Sequence, residues 1–169
     1  QIKLAEHKHH HGNGIVIDGA AGCQVKFAKC CNPLPGDNVV GFITKGFGVS
    51  IHKADCPNVL AGMKKTEDKD RWVSAYWETA SPFERAATYE ANLQIYANDE
   101  IGLLAHITTA LADMRVSILN INSQKCSDGS MILNLTVGCK NTDHVVSIVS
   151  RLKQISGVVD VKRGFSAKR

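Results

Sequence analysis

The sequence predicts an α+β protein of two domains, a small cysteine-rich α/β domain followed by a ferredoxin-like β-α-β-β-α-β domain. Two observations predict this. Four of the six cysteines fall within residues 23–56, and such clustering in a chain without a secretory leader favours one local site over a set of disulfides. The second half alternates strand-like and helix-like apolar periods in the order β-α-β-β-α-β over about 75 residues, which is typical of a split βαβ fold.

Charge and composition place the domain boundaries. Residues 1–65 carry 8 Lys/Arg and 4 Asp/Glu, residues 66–87 carry 3 and 5, and residues 88–169 carry 9 and 7. The acidic middle contains a stretch at 66–70 without an apolar residue, which predicts a surface loop. We expect a linker over residues 1–13, a first domain over 14–78, a second linker over 79–87 and a second domain over 88–164.

Short apolar runs predict the strands of the first domain at residues 15–17, 25–28, 39–43, 49–52 and 71–77. Gly46 and Gly48 are expected to supply the positive φ of a hairpin between two of these strands. Asp55 is expected to cap a short helix that begins near Cys56-Pro57, because proline is tolerated in a first helical turn.

The periodicities of the second domain predict strands at residues 89–96, 116–122, 131–137 and 158–161, and helices at 101–114 and 141–154. Asp128-Gly129 marks a hairpin turn, and Asn141 or Thr142 is expected to cap the second helix.

Composition limits the function classes. Lys and Arg exceed Asp and Glu by 20 − 16 = +4, which permits an RNA partner without requiring one. No apolar run reaches the ~18 residues of a membrane span, and the first residues lack the apolar core of a secretory signal. We therefore expect a cytoplasmic protein with no membrane partner. Since the chain opens on Gln1, we expect it to be part of a longer protein.

The spacing of Cys and His residues predicts a metal site in the first domain. His52-x-x-x-Cys56 and the upstream pair Cys30-Cys31 offer three thiolates and one imidazole, a ligand set that zinc takes. Neighbouring side chains on a strand point to opposite faces, so both cysteines of the pair reach one ion only at an irregular turn. Cys23 is a substitute if one of the pair does not bind. The alternative is that these thiols are half-buried small hydrophobes.

Two further patterns are weaker candidates for a metal site or a catalytic site. The run His7-Lys8-His9-His10-His11 could chelate a metal, but it is broken by lysine and is interpreted as a flexible linker. A nucleophilic pair of Cys56 with His52 lacks an orienting Asn or Asp beyond Asp55. The chain has no phosphate loop, no G-x-S-x-G elbow and no H-E-x-x-H motif, so no catalytic residue is assigned.

One loop of the second domain has features of a small-molecule site, where the first strand meets the first helix. Asn98 or Asp99 could cap the helix, N–H groups beside Gly102 could take a carboxylate, and Asp99 could pair with an ammonium. These are the two ends of an amino acid, and the candidate residues are Asn98, Asp99, Gly102 and Leu103. The alternative is a plain helix cap with a glycine that allows close packing.

The cysteine motif resembles a known family. Two stretches carry the resemblance, Cys30-Cys31-Asn32-Pro33-Leu34-Pro35-Gly36-Asp37 and Gly48-Val49-Ser50-Ile51-His52-Lys53-Ala54-Asp55-Cys56-Pro57-Asn58. They are similar to the C-terminal region of long RelA/SpoT-type (p)ppGpp synthetase/hydrolases, the stringent-response enzymes. In that family the segment is the conserved-cysteine or zinc-finger domain, also called the RIS domain. An ACT domain follows it, which the second domain resembles.

The resemblance implies a regulatory fragment that is not itself an enzyme. The GTP pyrophosphokinase and 3'-pyrophosphohydrolase sites of the parent would lie in upstream catalytic domains. The fragment would bind the ribosome near the A site when uncharged tRNA is present, contact large-subunit rRNA, and control those distant sites. The family's zinc pattern maps onto the ligands Cys30, Cys31, His52 and Cys56.

The resemblance also implies an RNA-facing surface. Lys45, His52, Lys53 and Asp55 would lie on or near it. Phe47 stands where relatives usually have arginine, and a phenyl ring can stack on a base but cannot pair with phosphate. For the ACT domain, the resemblance implies an alternative function, sensing of a branched-chain amino acid. A homodimer through sheet edges is a further expectation.

Overall fold

The computed structural model describes residues 8–11, 14–19, 22–46, 48–78 and 88–164. The chain divides into two compact units, residues 1–87 and 88–169. The first contains a six-stranded sheet and the second a four-stranded sheet. The class is α+β, as the sequence predicts.

Strands dominate the first unit. Its elements are β1 (Lys8–His11), β2 (Ile15–Asp18), β3 (Gln24–Phe27), β4 (Val39–Ile43), β5 (Gly48–Lys53), α1 (Pro57–Gly62), a 3-10 helix (Thr66–Arg71) and β6 (Trp72–Trp77). The strands lie in the order β1-β2-β6-β4-β5-β3. Neighbouring strands are antiparallel except β3 and β5, which are parallel.

One face of these strands forms the core of the first unit. The buried cluster consists of Ile15, Ile17, Val49, Ile51 and Ala75. Phe27 of β3 stacks on Trp77 of β6 with 5.6 Å between ring centroids. Since these two strands are not neighbours, the sheet curls around its core. Side chains alternate along a strand, so the burial of Ile51 turns His52 to the other face of β5.

The N-terminal segment differs from the prediction. The sequence predicts a linker over residues 1–13, but Lys8–His11 form β1, which pairs antiparallel with β2. The linker prediction is wrong for these four residues. An edge strand is held by main-chain hydrogen bonds, so a run of Lys and His can join a sheet without an apolar alternation. His7 and residues 79–87 lie outside the described residues. Residues 66–71, where a loop is predicted, form an exposed 3-10 helix.

The hairpin between β4 and β5 is present, but its turn differs from the prediction. The structure has no positive φ at Gly46 or Gly48, so that part of the prediction is wrong. The Thr44 hydroxyl instead lies 2.8 Å and 2.9 Å from the carbonyl oxygens of Gly46 and Gly48, where it closes the turn. Phe47 lies outside the described residues.

The start of α1 also departs from the prediction. The N-cap residue is Cys56, with no side-chain cap, and Pro57 occupies the first turn. Asp55 does not cap the helix. It pairs with Lys53 at 3.3 Å between Nζ and Oδ1.

The second unit has the predicted β-α-β-β-α-β order. Its elements are β7 (Tyr89–Asn98), α2 (Leu103–Asp113), β8 (Ile118–Lys125), β9 (Ser130–Cys139), α3 (Thr142–Lys153) and β10 (Val158–Arg163). The strands are antiparallel in the order β10-β7-β9-β8. The Asn141 side chain accepts a hydrogen bond from the His144 N–H at 2.8 Å, which confirms Asn141 as the cap of α3.

The two faces of this sheet differ in character. Fully buried residues come from both helices and from one face of β7 and β9; they include Leu93, Ile95, Ile107, Leu111, Leu133, Leu135, Ile148 and Leu152. The opposite face is polar. There the Tyr96 hydroxyl donates to Gln94, whose amide donates to Asn134 at 2.8 Å. Among the described residues, no helix has the length and apolar character needed to cross a bilayer.

Gly41 lies in the middle of β4, where the structure leaves no room for a side chain. A Cβ there would lie 2.8 Å from Cγ2 of Val73 and 2.9 Å from Cγ1 of Val49. We expect Gly41→Ala to lower the free energy of unfolding of the first domain by about 1–3 kcal/mol, because two branched side chains must shift. Urea denaturation followed by tryptophan fluorescence measures this, since both tryptophans lie in β6.

The matched control is Gly46→Ala, because a Cβ at that exposed position would meet nothing within 4 Å. We expect its unfolding free energy to stay within about 0.5 kcal/mol of the unsubstituted protein. Equal losses in the two variants would contradict the packing described here.

Candidate metal centre

Cys30 and Cys31 lie in a turn that directly follows β3. The Ala28 carbonyl accepts hydrogen bonds from the N–H groups of Cys31 at 3.4 Å and Asn32 at 2.9 Å. Asn32 has a φ of 42°, in the left-handed region that asparagine tolerates better than most residues. This turn interrupts the strand alternation, so two neighbouring side chains can approach the same point. The irregular turn that a shared ion requires is therefore present.

His52 and Cys56 come from the end of β5 and the start of α1. The Cys56 N–H donates to the Lys53 carbonyl at 3.0 Å, which brings the buried Cys56 side chain back toward His52. The parallel register pairs Phe27 with Ile51. Because β3 and β5 run in the same direction, their carboxyl ends meet at one edge of the sheet. The turn after β3 therefore lies beside the segment that follows β5.

The structure brings the four predicted ligands together. One ligand atom from each of Cys30, Cys31, His52 and Cys56 lies within 4.8 Å of all the others, and the described residues contain no second group of this kind. Sγ of Cys30 lies 3.4 Å from Nδ1 of His52, 3.7 Å from Sγ of Cys56 and 3.9 Å from Sγ of Cys31. Sγ of Cys31 lies 3.9 Å from Nδ1 of His52.

These distances fit a tetrahedral ion. Ligands at zinc distances, about 2.3 Å for sulfur and about 2.0–2.1 Å for nitrogen, would stand about 3.8 Å apart as a sulfur–sulfur pair and about 3.6 Å apart as a sulfur–nitrogen pair. The separations given above, 3.7–3.9 Å between sulfurs and 3.4–3.9 Å between sulfur and nitrogen, agree, and the Cys31–Cys56 and His52–Cys56 pairs lie within 4.8 Å. The four side chains are therefore placed as candidate ligands of one metal ion.

Burial controls the protonation of two of these groups. Burial is the main cause that raises the pKa of the Cys31 thiol from 9.0 to about 12; a hydrogen bond from the Lys53 N–H opposes the rise, and the neighbouring Cys30 and Cys56 add to it. Burial lowers the pKa of His52, so its imidazole is neutral at pH 7. A neutral imidazole is the form that binds metals, whereas Cys31 must lose its proton to an incoming ion.

Two contacts outside the ligand set support the cluster. Nε2 of His52 lies 3.3 Å from the Ser50 hydroxyl, which leaves Nδ1 to face the sulfurs. The Lys53 N–H donates to Sγ of Cys31 at 3.3 Å. Sequence reasoning missed both contacts. The two-residue spacing of Ser50 and His52 places them on one face of the strand and could have indicated their contact. The contact from the Lys53 N–H to Cys31 could not be predicted, because every residue type other than proline has a main-chain N–H.

A cavity of about 490 Å³ lies beside the β4–β5 hairpin. It is lined by Gln24, Lys26, Thr44, Gly46, Gly48, Val49 and Ser50. Ser50 belongs to both features, because it lines the cavity and contacts His52. Sequence reasoning missed Lys26, which is exposed on the edge strand β3.

The residues predicted to face RNA differ in exposure and in the partners they already have. Lys45 is exposed in the hairpin turn and makes no ion pair within the described residues. Lys53 is paired with the exposed Asp55. Both ring nitrogens of His52 already have protein partners. Phe47 lies outside the described residues. RNA contact by these side chains stays a prediction.

Cys23 does not join the cluster. It is half-buried and packs against the hydrophobic core of the first unit. A substitute role in metal binding is therefore not supported by its position.

The loop predicted to hold an amino acid is arranged differently from the expectation. The N-cap residue of α2 is Gly102, with a φ of 86° and no side-chain cap, so the capping role of Asn98 or Asp99 is wrong. Asp99 pairs with Lys125 of β8 at 2.6 Å. Leu103 is 2% exposed and belongs to the core, so it does not line the loop. Amino-acid binding here stays a prediction.

Two family models match this chain. The RelA/SpoT RIS domain matches residues 15–78, and the ACT domain matches residues 85–163. The solved ACT domain from the GTP pyrophosphokinase of Chlorobium tepidum is 27% identical, with 46% of this chain and 99% of that chain covered and a TM-score of 0.41.

Curated relatives match both domains together. A probable GTP pyrophosphokinase of Mycobacterium leprae is 35% identical over 91% of this chain and 19% of its own length. The bifunctional (p)ppGpp synthase/hydrolase RelA of Mycobacterium tuberculosis is 34% identical over 91% and 20%. The GTP pyrophosphokinase of Escherichia coli is 33% identical over 88% and 19%. The chain thus spans about a fifth of the length of these relatives.

The fold and the cluster define a class of protein, a regulatory region in which a cysteine-rich domain precedes an ACT domain. The chain belongs to the RelA/SpoT family, in which it corresponds to the C-terminal regulatory region with its RIS and ACT domains. The resemblance carried by the sequence motifs is confirmed.

Metal binding at the cluster is expected to strengthen as pH rises. The raised pKa of Cys31 keeps this thiol protonated well above neutral pH, so an ion must displace its proton. We expect the apparent association constant to rise between about pH 6 and 9, by about tenfold per pH unit for each proton displaced. Competition against a chromogenic chelator at several pH values measures this slope.

The contribution of Cys31 is separable from the rest. We expect Cys31→Ser to reduce the slope by about one logarithmic unit per pH unit, because one displaced proton is lost. Cys23→Ser, outside the cluster, is expected to leave the slope unchanged. A constant that does not depend on pH would contradict the arrangement.

Proposed function

We propose that this chain is a zinc-stabilised module that docks on ribosomal RNA through its first domain and thereby controls catalytic sites elsewhere in a full-length (p)ppGpp synthetase/hydrolase. The observation that carries the proposal is the four-ligand cluster where β3 and β5 end, inside a RIS domain. The exposed β4–β5 hairpin lies at the opposite end of β5. The parent family is an enzyme family, since its relatives are GTP pyrophosphokinases.

Zinc is the ion that the ligand set favours. Three thiolates and one imidazole in a closed tetrahedron are typical of structural zinc sites, which leave no open position for a substrate. Soft sulfur ligands disfavour magnesium and calcium, which prefer oxygen. We therefore assign the cluster a structural role, in which the ion fastens the turn after β3 to the start of α1.

RNA docking is supported by charge and accessibility on the hairpin side. Lys45 and Lys26 are exposed there, and the cavity beside the hairpin is lined by hydroxyl and amide groups that can hydrogen-bond to sugar and phosphate oxygens. Lys53 contributes less free charge, because Asp55 already neutralises it. The hairpin turn is thus the strongest candidate for phosphate contact.

The chain itself is proposed to be non-catalytic. A Cys56–His52 nucleophilic pair is disfavoured, because Nδ1 of His52 faces Cys30 at 3.4 Å and Cys56 is buried within the same cluster. Incubation of this chain with ATP and GTP is the direct check, and we expect no pyrophosphoryl transfer.

Zinc content tests the assignment of the ion. We expect elemental analysis of the purified chain to give about one zinc per molecule. Cys30→Ser, Cys31→Ser and Cys56→Ser are each expected to lower that content severalfold, whereas Cys23→Ser keeps it. Retention of zinc by all four variants would show that the ion binds elsewhere.

Ribosome binding tests the docking surface. We expect Lys45→Ala to weaken binding of this chain to ribosomes and to reduce the slope of log K against log salt by about one, because one phosphate contact is lost. Lys69→Ala is the matched control, since Lys69 is an exposed lysine in the acidic 3-10 helix. Filter binding over a salt series gives both slopes. Identical curves for the two variants would remove Lys45 from the docking surface.

A further inference from the structure

We propose that Cys30 and Cys56 form a peroxide-responsive thiol pair, a modification site at the rim of the metal centre. In this pair Cys30 is the sulfur that reacts with a hydroperoxide, and Cys56 is the sulfur that resolves the product into a disulfide. The inference rests in part on the proposed zinc site, and the experiment below separates the failure of one from the failure of the other.

Accessibility selects Cys30 as the reacting sulfur. It is the one exposed cysteine among the four ligands, whereas Cys31 is half-buried and Cys56 is 3% exposed. A small oxidant that arrives from solvent therefore meets the sulfur of Cys30 first, and susceptibility to oxidation follows exposure and thiolate character. Cys31 is further shielded by the hydrogen bond that its sulfur accepts from the Lys53 N–H.

Geometry selects Cys56 as the partner. The sulfurs of Cys30 and Cys56 are 3.7 Å apart, so a disulfide of about 2.05 Å needs an approach of about 1.7 Å. The sulfur of Cys31 is almost as near, at 3.9 Å. However, adjacent Cα atoms are about 3.8 Å apart, shorter than the 4.4–6.8 Å usual for a disulfide, so a bridge between neighbours is strained.

The chemistry balances with hydrogen peroxide as the only oxidant. The Cys30 thiolate attacks one peroxide oxygen, the O–O bond breaks, hydroxide leaves, and a sulfenic acid forms on Cys30. The Cys56 thiolate then attacks the Cys30 sulfur, the S–O bond breaks, and a second hydroxide leaves as the S–S bond forms. Two protons convert the hydroxides to water, two sulfurs lose one electron each, and the peroxide gains two.

The disulfide would remove two of the four metal ligands. Cys31 and His52 alone cannot close a tetrahedral site, so the ion is released. The turn after β3 and the start of α1 then stay linked covalently, but His52 loses the partner that orients its Nδ1. Oxidation would thereby alter the edge of the sheet at which β3 and β5 end, and a thiol reductant with zinc would restore it.

The experiment treats the reduced, zinc-loaded chain with hydrogen peroxide. Zinc release is followed with a chromogenic chelator, sulfenic acid is trapped with dimedone, and disulfides are mapped by mass spectrometry after alkylation. We expect dimedone labelling at Cys30 to be at least about tenfold faster than at Cys126, a half-buried thiol outside the cluster. We expect a Cys30–Cys56 disulfide and release of the zinc in step with it.

Two variants keep the outcome interpretable. Cys56→Ser is expected to accumulate sulfenic acid on Cys30 with severalfold less disulfide, and Cys126→Ser is expected to react like the unsubstituted chain. Oxidation of Cys31 or Cys126 as fast as Cys30, or release of zinc while Cys30 is unmodified, would overturn the inference. If the reduced chain takes up no zinc but peroxide still forms the Cys30–Cys56 disulfide, the zinc proposal is refuted and the thiol pair is supported.

Discussion

The parallel pairing of β3 with β5 is the constraint on which the first domain depends. Its register runs from Gln24 opposite Gly48 to Phe27 opposite Ile51, so both strands end at the same edge of the sheet. A turn that carries two cysteines follows one strand, the histidine lies at the end of the other, and a third cysteine comes shortly after it. The sheet thus brings together ligands from distant parts of the sequence.

Much of this arrangement is encoded in patterns that can be read directly. Strand alternation locates β4, β5 and β6, and the apolar periods of the second domain locate its helices and strands along the chain. The identity of the four candidate ligands follows from residue chemistry and from the Asn-Pro turn after Cys31. The strand at Lys8–His11 could not be predicted in the same way, because its sequence of one lysine and three histidines has no apolar alternation.

Capping shows where local rules lose to tertiary contacts. Asp55 and Asp99 both precede a helix and both are good cap residues by type. In the structure each carboxylate pairs with a lysine instead, Asp55 with Lys53 and Asp99 with Lys125 of β8. Cys56 takes the cap position of its helix at the cluster, and a left-handed Gly102 takes that of the other. The sequence does not reveal Lys125 as the partner of Asp99, since that pair forms only once β8 is in place in the fold, whereas Lys53 lies two residues from Asp55.

Strand β5 combines three roles through the two-residue period of its side chains. Val49 and Ile51 fill the core, Ser50 and His52 face the cavity and the cluster, and Lys53 contacts Cys31 through its N–H while its ammonium reaches solvent. A one-residue slip of β5 would exchange these roles, because it moves every side chain to the opposite face. The core therefore sets the register that aligns the cluster with the hairpin. For this reason the proposed metal centre and the proposed docking surface cannot vary independently, because the position of both depends on the register of β5.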